Sequence, residues 1–141
     1  MKLYHLSDEN HDNTIFQPIR MTSDRAMYGE DCSIKRTCFS SSIQGAITAL
    51  IDSEYQYNIG HKFFVHIPKN PSEIVIYKPA EDEVPDCKIT REYWVVSDVQ
   101  LKCIGQIQLI KRITNYYCRM WKGWRINLDK YCWKWIRKFS P

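Results

Sequence analysis

Two short segments of this chain combine residue types that can bind a nucleotide. Residues 2–7 place one histidine, His5, in a predicted strand among apolar neighbours. A neutral imidazole donates a hydrogen bond from one ring nitrogen and accepts one at the other. Residues 36–50 read as a strand that turns through three consecutive serines, at positions 40–42, into a helix. A strand histidine beside a hydroxyl-lined turn is one way to build a small nicotinamide-nucleotide pocket.

The elements that must position these residues are short strands and one helix. The serines offer an N-cap for a helix that runs to about Asp52, and Ile43, Ile47 and Leu50 share one face of it. Content of β-branched and aromatic residues predicts the strands. They cover residues 2–6, 35–39, 62–67, 73–77, 92–97 and 99–110. This pattern predicts the α+β class, with two small curved sheets around a cleft and one or two helices.

Two features between these elements carry further expectations. Residues 7–34 form a long polar stretch, and a connection of that length inside a compact domain is usually a functional loop or lid. Gly105 lies inside the last predicted strand, where a glycine often marks a bulge.

Composition limits the class of protein. The chain has 141 residues, of which 44% are hydrophobic and 26% charged, values typical of one globular domain. Six cysteines without a C-x-x-C pair predict thiols in a reducing cytosol, so we expect a cytoplasmic protein. No signal sequence or membrane-spanning run is expected. His61 and His66 are predicted to face opposite sides of a strand, which disfavours a shared zinc ion, and we predict no metal site.

Charge divides the chain into two parts. Residues 1–110 carry 11 basic and 15 acidic side chains, a net charge of −4, whereas residues 111–141 carry 9 basic and 1 acidic, a net charge of +8. This change predicts a domain over residues 1–110 and a basic aromatic extension over residues 111–141.

The extension shows an apolar stripe at helical period and is predicted to be an amphipathic helix that Gly123 bends or breaks. The stripe consists of Ile113, Tyr117, Met120, Trp124, Leu128, Tyr131 and Trp135. Docking of this helix on the domain's own sheet is one interpretation. The others are a protein or oligomer contact, a nucleic-acid surface of stacked bases and neutralised phosphates, and an interfacial membrane helix.

Over residues 2–110, the order of the motifs resembles the ADP-ribosyltransferases, in particular the small rifampin ADP-ribosyltransferase type. The resemblance lies in four pieces that arrive in the family's order. They are Leu3-Tyr4-His5-Leu6, Cys38-Phe39-Ser40-Ser41-Ser42-Ile43-Gln44-Gly45-Ala46, Phe63-Phe64-Val65-His66-Ile67-Pro68, and the stretch from Glu92-Tyr93-Trp94 to Ile107. It implies an ADP-ribosyltransferase-like fold whose cleft holds NAD.

The resemblance implies roles for the residues of the first two pieces. His5 matches the histidine that hydrogen-bonds the nicotinamide ribose, and Ser40, Ser41 and Ser42 match the hydroxyl turn that supports the nicotinamide amide. The serines are equally suited to capping the helix. Cys38 stands where the resembled enzymes carry a tyrosine that stacks on nicotinamide, and a thiol has no π face.

Tyr4 or Tyr28 is a candidate to supply the aromatic face that Cys38 lacks. For the carboxylate that assists transfer by stabilising an oxocarbenium-like centre, the candidates are Glu92 and Asp86. Both are also ordinary positions for solvated acids.

Pyrophosphate would suit three arginines, because a guanidinium recognises phosphate oxygens bidentately. They are Arg20, Arg25 and Arg36.

Three hypotheses for function follow. The first is an ADP-ribosyltransferase that uses NAD and modifies a protein or small molecule. The second, favoured by Cys38 and by the absence of a clear catalytic glutamate, is a non-catalytic module that sequesters an NAD-derived nucleotide or blocks a partner, as a phage or mobile-element anti-defence protein would. The third is an inhibitor of a protein or nucleic acid that acts through residues 111–141.

Overall fold

A computed structural model describes residues 1–20, 31–52, 57–84 and 87–139. Arg25, Tyr28 and Asp86, named as candidates above, lie outside the described residues. The described elements, in chain order, are β1 (His5–Ser7), β2 (Ile15–Phe16), β3 (Thr37–Ser40), α1 (Ile43–Asp52), β4 (Lys62–Pro68), a 3₁₀ turn (Pro71–Glu73), β5 (Ile76–Tyr77), α2 (Cys87–Thr90), β6 (Glu92–Val95), β7 (Val99–Trp121) and β8 (Trp124–Lys138).

The strands form two antiparallel sheets. The larger sheet has the order β1-β4-β7-β2, with β8 also pairing β7, and the smaller has the order β3-β6-β5. The chain just before β1 joins them, because Tyr4 exchanges backbone hydrogen bonds with Ser40 of the smaller sheet while β1 itself pairs with β4. The predicted α+β class is confirmed.

Helix α1 begins where the serines predict it. Ser42 is the N-cap residue, and its hydroxyl oxygen accepts a hydrogen bond from the backbone N–H of Gly45 at 2.9 Å. Ile43 and Ile47 are buried in the main core together with β4 and β7 side chains such as Phe63 and Ile107. The helix therefore covers one face of the larger sheet, as its apolar face predicts.

Gly105 lies at an irregularity in β7, which confirms the prediction. The pairing of β4 with β7 shifts register between Val65 and His66, opposite Gly105 and Cys103. Gly105 has a φ of +153°, and a Cβ atom there would lie 2.3 Å from the carbonyl oxygen of Arg137. Glycine is needed at this position because β8 crosses too closely for any side chain.

The predicted C-terminal amphipathic helix is wrong, since residues 99–138 form one long β-hairpin. A two-residue turn joins β7 to β8, with φ values of +48° at Lys122 and +80° at Gly123. Positive φ at both central residues is the signature of the type I′ turns that close hairpins. The apolar spacing that imitated a helix belongs to two strands that twist around each other.

The hairpin has two parts. We call residues 101–112 and 131–138 the base, and residues 113–130 the arm. The base contributes Leu109 and Tyr131, both fully buried, to the main core. The predicted boundary at Ile110 falls inside strand β7, at a point where the register with β8 shifts between Leu109 and Lys111. Among the described residues, no helix is long and apolar enough to cross a bilayer.

Candidate functional site

His5 lies where the two sheets meet and forms part of a cluster of aromatic rings. Its ring centroid is 5.6 Å from those of Phe16 and Phe39, and 6.3 Å from that of His66. His11 approaches the same group, with its ring 5.0 Å from Phe16 and 5.5 Å from His66. We call these five residues the histidine cluster.

One hydrogen bond fixes the tautomer of His5. Its Nδ1 atom lies 3.0 Å from the carbonyl oxygen of Cys38, so Nδ1 carries the proton and donates it. Burial lowers the pKa of His5 below its usual value, against the opposing effect of the Cys38 carbonyl, and the ring is neutral at pH 7. Nε2 is consequently an acceptor. Among the described residues, no hydrogen-bond partner approaches this atom.

His66 is held as a neutral imidazole in the same tautomer as His5. It is fully buried on β4, directly across from His5, and its Nε2 accepts the backbone N–H of His11 at 2.9 Å. Nδ1 therefore carries the proton and faces the carbonyl oxygen of His5 at 3.3 Å. Burial, with a further contribution from His5, lowers the pKa of His66 to about 4. Protonation at Nε2 would place a second donor against the backbone N–H of His11 and break this hydrogen bond.

The cluster offers polar atoms beside aromatic surface. Ser7 shares a face of β1 with His5, and its hydroxyl lies 3.0 Å from Nε2 of His11. Within the described ranges, three or more His, Cys, Asp or Glu side chains are nowhere arranged to hold a metal ion. The chemistry available here is hydrogen bonding by imidazole and hydroxyl groups, which suits hydroxyl groups of a ligand.

The three serines of the predicted hydroxyl turn, at positions 40–42, form hydrogen bonds within the fold. The hydroxyl of Ser40 donates to the carbonyl oxygen of Thr90 at 2.6 Å and accepts the backbone N–H of Ser42 at 3.2 Å. Ser42 caps α1, and the backbone N–H of Ser41 donates to the carbonyl of Arg91. The capping alternative from the sequence is therefore confirmed.

Glu92 lies on the other side of the smaller sheet from His5. Side chains alternate between the two faces of a strand. Phe39 faces the larger sheet, near His5, whereas Trp94 packs on the opposite face. The carboxylate of Glu92 is on the Trp94 side, where it accepts the indole N–H of Trp94 at 2.9 Å, and the residue is 7% exposed. The sheet separates the predicted carboxylate from the predicted ribose-binding histidine.

Arg36 lies on the Glu92 side as well. Its guanidinium stacks 3.9 Å from the ring centroid of Trp94, and Nη1 donates to the carbonyl oxygens of Asp31 and Ile34. Only 1% of the residue is exposed. In this conformation the guanidinium holds a loop against the sheet rather than facing a ligand.

The remaining candidates within the described residues do not join His5 in one pocket. Tyr4 precedes His5, and its side chain packs against the main core on the face of the larger sheet that α1 covers. Arg20 is exposed. The side chain of Cys38 packs beside Trp94, so only its backbone carbonyl contacts His5.

Sequence reasoning missed the other members of the histidine cluster. The sequence suggests no role for His66 beyond the zinc site that it disfavours, and it places His11 and Phe16 in the predicted loop of residues 7–34. His5 and His66 come together through the pairing of strand β1 with strand β4. Such a pairing is not readable from either strand alone.

Compared with known proteins, the chain matches no family model, no curated protein and no solved structure. The resemblance to ADP-ribosyltransferases therefore stays a prediction.

Proposed function

We propose that this protein binds a nucleotide of the NAD or ADP-ribose class at the histidine cluster, with a ribose hydroxyl donating a hydrogen bond to Nε2 of His5. One observation carries this proposal: Nε2 is an acceptor on a half-buried, neutral ring, and the described residues supply it with no donor. A ribose offers two hydroxyl donors, and the neighbouring Phe16 ring offers an apolar surface for the rest of the ligand.

The position of Glu92 favours binding over ADP-ribosyl transfer, while Asp86, the other candidate carboxylate, lies outside the described residues. A transferase needs a carboxylate beside the reacting ribose, where it stabilises positive charge at the anomeric carbon. Glu92 is occupied by the indole of Trp94 and is separated from His5 by the smaller sheet. We therefore propose sequestration of the nucleotide, as an anti-defence protein would perform it, in preference to turnover.

Two substitutions of His5 test the role of each ring nitrogen. Asparagine places an amide N–H near the position of Nδ1 and removes the acceptor, whereas glutamine places an amide oxygen near the position of Nε2. Losing one neutral hydrogen bond weakens binding by up to about tenfold. We expect H5N to bind about tenfold more weakly than the wild type and H5Q to stay within roughly threefold.

The measurement is calorimetric titration with NAD, ADP-ribose and cyclic ADP-ribose, followed by recovery of the nucleotide. His61→Gln is the control, since His61 lies outside the cluster and bonds Asp8. Intact recovered nucleotide supports sequestration, and released nicotinamide would overturn it in favour of transfer. Absence of binding by the folded wild-type protein to all three compounds would overturn the assignment of this ligand class.

A further inference from the structure

The larger sheet has one face that α1 covers and one open face. Helix α1 packs on the face that carries Phe63 and Leu109. Side chains alternate along a strand, so the residues next to these two point to the opposite, open face. On that face the register places Lys62 of β4 beside Gln108 of β7, and Gln108 beside Lys134 of β8. Two lysines therefore lie on the open face, two strands apart.

Strand β8 and its partner add two more lysines to the open face. Along β8, Lys130, Cys132 and Lys134 occupy positions that alternate with Tyr131, whose side chain is buried on the α1 side. Lys111 of β7 is paired with Cys132. Directly paired residues of antiparallel strands point to the same face, so Lys111 belongs to the open face as well.

Arg137 is the fifth basic residue of the open face. Its Nη2 atom donates a hydrogen bond to Oε1 of Gln106 at 2.8 Å, and Gln106 is paired with Phe64, two residues from Lys62. An amide is neutral, so this bond orients the guanidinium without cancelling its charge. None of the residues that the register places on the open face is acidic. We call the five basic residues the basic face: Lys62, Lys111, Lys130, Lys134 and Arg137.

The charge of the basic face is not balanced by ion pairs. Within the described ranges, none of its five members forms one. Asp129, the acid beside Lys130 in the sequence, pairs instead with Arg112, which lies opposite Tyr131 on the α1 side. Four members of the basic face are exposed to solvent, and Lys130 is half-buried. The surface thus presents several positive charges to an anionic partner.

An exposed aromatic ring borders the basic face. The Nζ atom of Lys130 lies 4.6 Å from the ring centroid of Tyr116, a cation–π contact. Tyr117 meets the same ring nearly at a right angle, with the two centroids 4.9 Å apart. These contacts hold the ring in place, yet Tyr116 is 52% exposed. Any nucleobase can stack on aromatic surface of this kind, because every base has a π face.

The composition of the open face favours a polyanion over a protein or a membrane. Protein interfaces are depleted in lysine, whereas lysines dominate this surface. Stable attachment to a bilayer requires apolar insertion in addition to basic side chains. Trp124 lies farther along the same side of β8 and is exposed, but the apolar surface between it and Tyr116 is interrupted at Leu128, which is 7% exposed. The exposed aromatic rings are therefore separate rather than one apolar patch.

We propose that the basic face binds the sugar–phosphate backbone of single-stranded nucleic acid, with a base stacked on Tyr116. The Cα atoms of Lys62 and Lys134 are about 10 Å apart across two strands, and those of Lys130 and Lys134 about 13 Å apart along β8. The cations are thus spread over a surface that several phosphates of one strand contact together. A duplex keeps its bases stacked on one another and would leave Tyr116 unused. This inference is independent of nucleotide binding at the histidine cluster.

The test is fluorescence anisotropy of a labelled oligothymidylate of about 12 nucleotides, titrated with the full chain at several salt concentrations. Five phosphate contacts on a single strand predict that affinity falls roughly 100-fold between 50 and 200 mM salt. The double variant K62Q/K134Q should reduce the slope of log affinity against log salt by about 1.4, because each lost contact contributes about 0.7. Y116A should weaken binding roughly 5- to 150-fold without changing this slope, through the loss of one stacked base.

A matched control removes two charges elsewhere. Lys2 and Lys35 are exposed and lie outside the basic face, so K2Q/K35Q should leave the affinity within about twofold. Equal losses in the two double variants would overturn the proposal, because general charge attraction would then explain binding. An unchanged affinity in Y116A would overturn the stacked base, and absence of binding at 50 mM salt by the folded protein would overturn the whole assignment.

Three other anionic ligands identify the class of partner. A DNA duplex of about 12 base pairs, vesicles of phosphatidylglycerol and polyglutamate are titrated at the same concentration of negative charge. All three should bind more weakly than the single strand, because none offers an unstacked base to Tyr116. Equal or tighter binding of the duplex, the vesicles or polyglutamate would overturn the proposal in favour of duplex nucleic acid, a membrane or an acidic protein, respectively.

The two proposals fail separately. K62Q/K134Q and Y116A should retain the wild-type affinity for nucleotide, and the His5 variants should retain the wild-type affinity for the oligonucleotide. Thermal unfolding of each variant verifies that it is folded, and the exposure of Lys62, Lys134 and Tyr116 predicts nearly unchanged midpoints.

Discussion

The base and the arm of the β7–β8 hairpin are built from the same two strands, yet the apolar side chains of the base are buried whereas those at the tip of the arm are exposed. In the base, α1 covers the sheet and buries Ile107, Leu109 and Tyr131 completely. In the arm, Met120 and Trp124 are mostly exposed to solvent. An isolated two-stranded ribbon is marginally stable in water. The comparison teaches that the base supplies most of the stability, while Met120 and Trp124 at the tip of the arm stay exposed.

The largest expected loss of stability is at Gly105, which lets β8 pack closely against β7 in the base. In G105A, the new Cβ would lie 2.3 Å from the carbonyl oxygen of Arg137 and the backbone would keep a φ of +153°, which favours glycine. Overpacking and backbone strain together cost roughly 2 to 6 kcal/mol. We expect G105A to unfold at a much lower denaturant concentration than the wild type, or to fail to fold.

Gly123 in the turn of the arm is the matched control. Its φ is +80°, but a Cβ atom there would meet no other atom within 4 Å. G123A should therefore cost only about 1 to 2 kcal/mol, from backbone strain alone. Equal losses of stability in G105A and G123A would show that the arm is as tightly constrained as the base, contrary to the comparison.

The second prediction compares large aromatic side chains in the two parts. Tyr131 is fully buried, and its hydroxyl donates to the carbonyl oxygen of Tyr57 at 2.9 Å. Truncation in Y131A should lower the free energy of unfolding by about 3 to 4 kcal/mol, measured in urea. W124A, at the tip of the arm, should change it by less than about 0.5 kcal/mol. A large loss in W124A would mean that the arm packs against the domain.

The third and smallest prediction concerns the loss of folding stability at low pH, which we expect to affect the base more than the arm. His66 lies opposite Cys103 of the base, whereas the arm has no histidine. The pKa of His66 is lowered from 6.5 to about 4 in the folded state, so between these values only the unfolded chain binds this proton. Stability from His66 is complete above pH 6.5 and is lost as the pH falls to about 4, by up to about 3 kcal/mol.

H66Q tests this prediction, because glutamine offers an oxygen to the His11 N–H but does not titrate in this range. Urea unfolding at a series of pH values should show the free energy of unfolding of the wild type falling relative to that of H66Q, by up to about 3 kcal/mol, as the pH falls from 6.5 to 4. Parallel curves would contradict the assignment of neutral His66, since carboxylates titrate equally in both proteins.

Much of the sheet framework could be predicted, because the signals for it are local. Serines before an amphipathic run predicted α1, and alternation with β-branched content predicted β4 almost to the residue. The short strand β2 was missed inside the polar stretch, since two residues carry no detectable alternation. Its pairing with the start of β7 is a tertiary contact.

The C-terminal hairpin was predicted wrongly because its apolar residues recur every three or four positions. That spacing fits one face of a helix, but in strands it places residues on both faces of a twisted ribbon. The contrary signal was present: Lys122-Gly123 separates two runs rich in aromatic and β-branched residues, and two residues ending in glycine suit a hairpin turn. A deletion of residues 111–141 would remove Tyr131 from the core together with the arm, so it would not test the arm alone.

Prediction of the site succeeded least where contacts cross between sheets. The position of His5 in a strand was readable, but its partners His11, Phe16 and His66 depend on how β1, β2 and β4 come together. The face on which Glu92 lies depends on the register of β6 against β3. The resemblance to ADP-ribosyltransferases made Glu92 and His5 candidates for one pocket, and strand alternation separates them.

The joining of both sheets through β1 has a consequence for folding kinetics. The contact between His5 and His66 closes a loop of 61 residues, so docking of β1 comes only after a large loss of chain entropy. Folding dominated by such distant pairings is slow, on the order of milliseconds to seconds. Until β1 docks, the backbone groups of Phe64, Val65 and His66 on that edge of β4 have no strand beside them. We therefore expect refolding yield to fall with protein concentration, through intermolecular pairing at this edge.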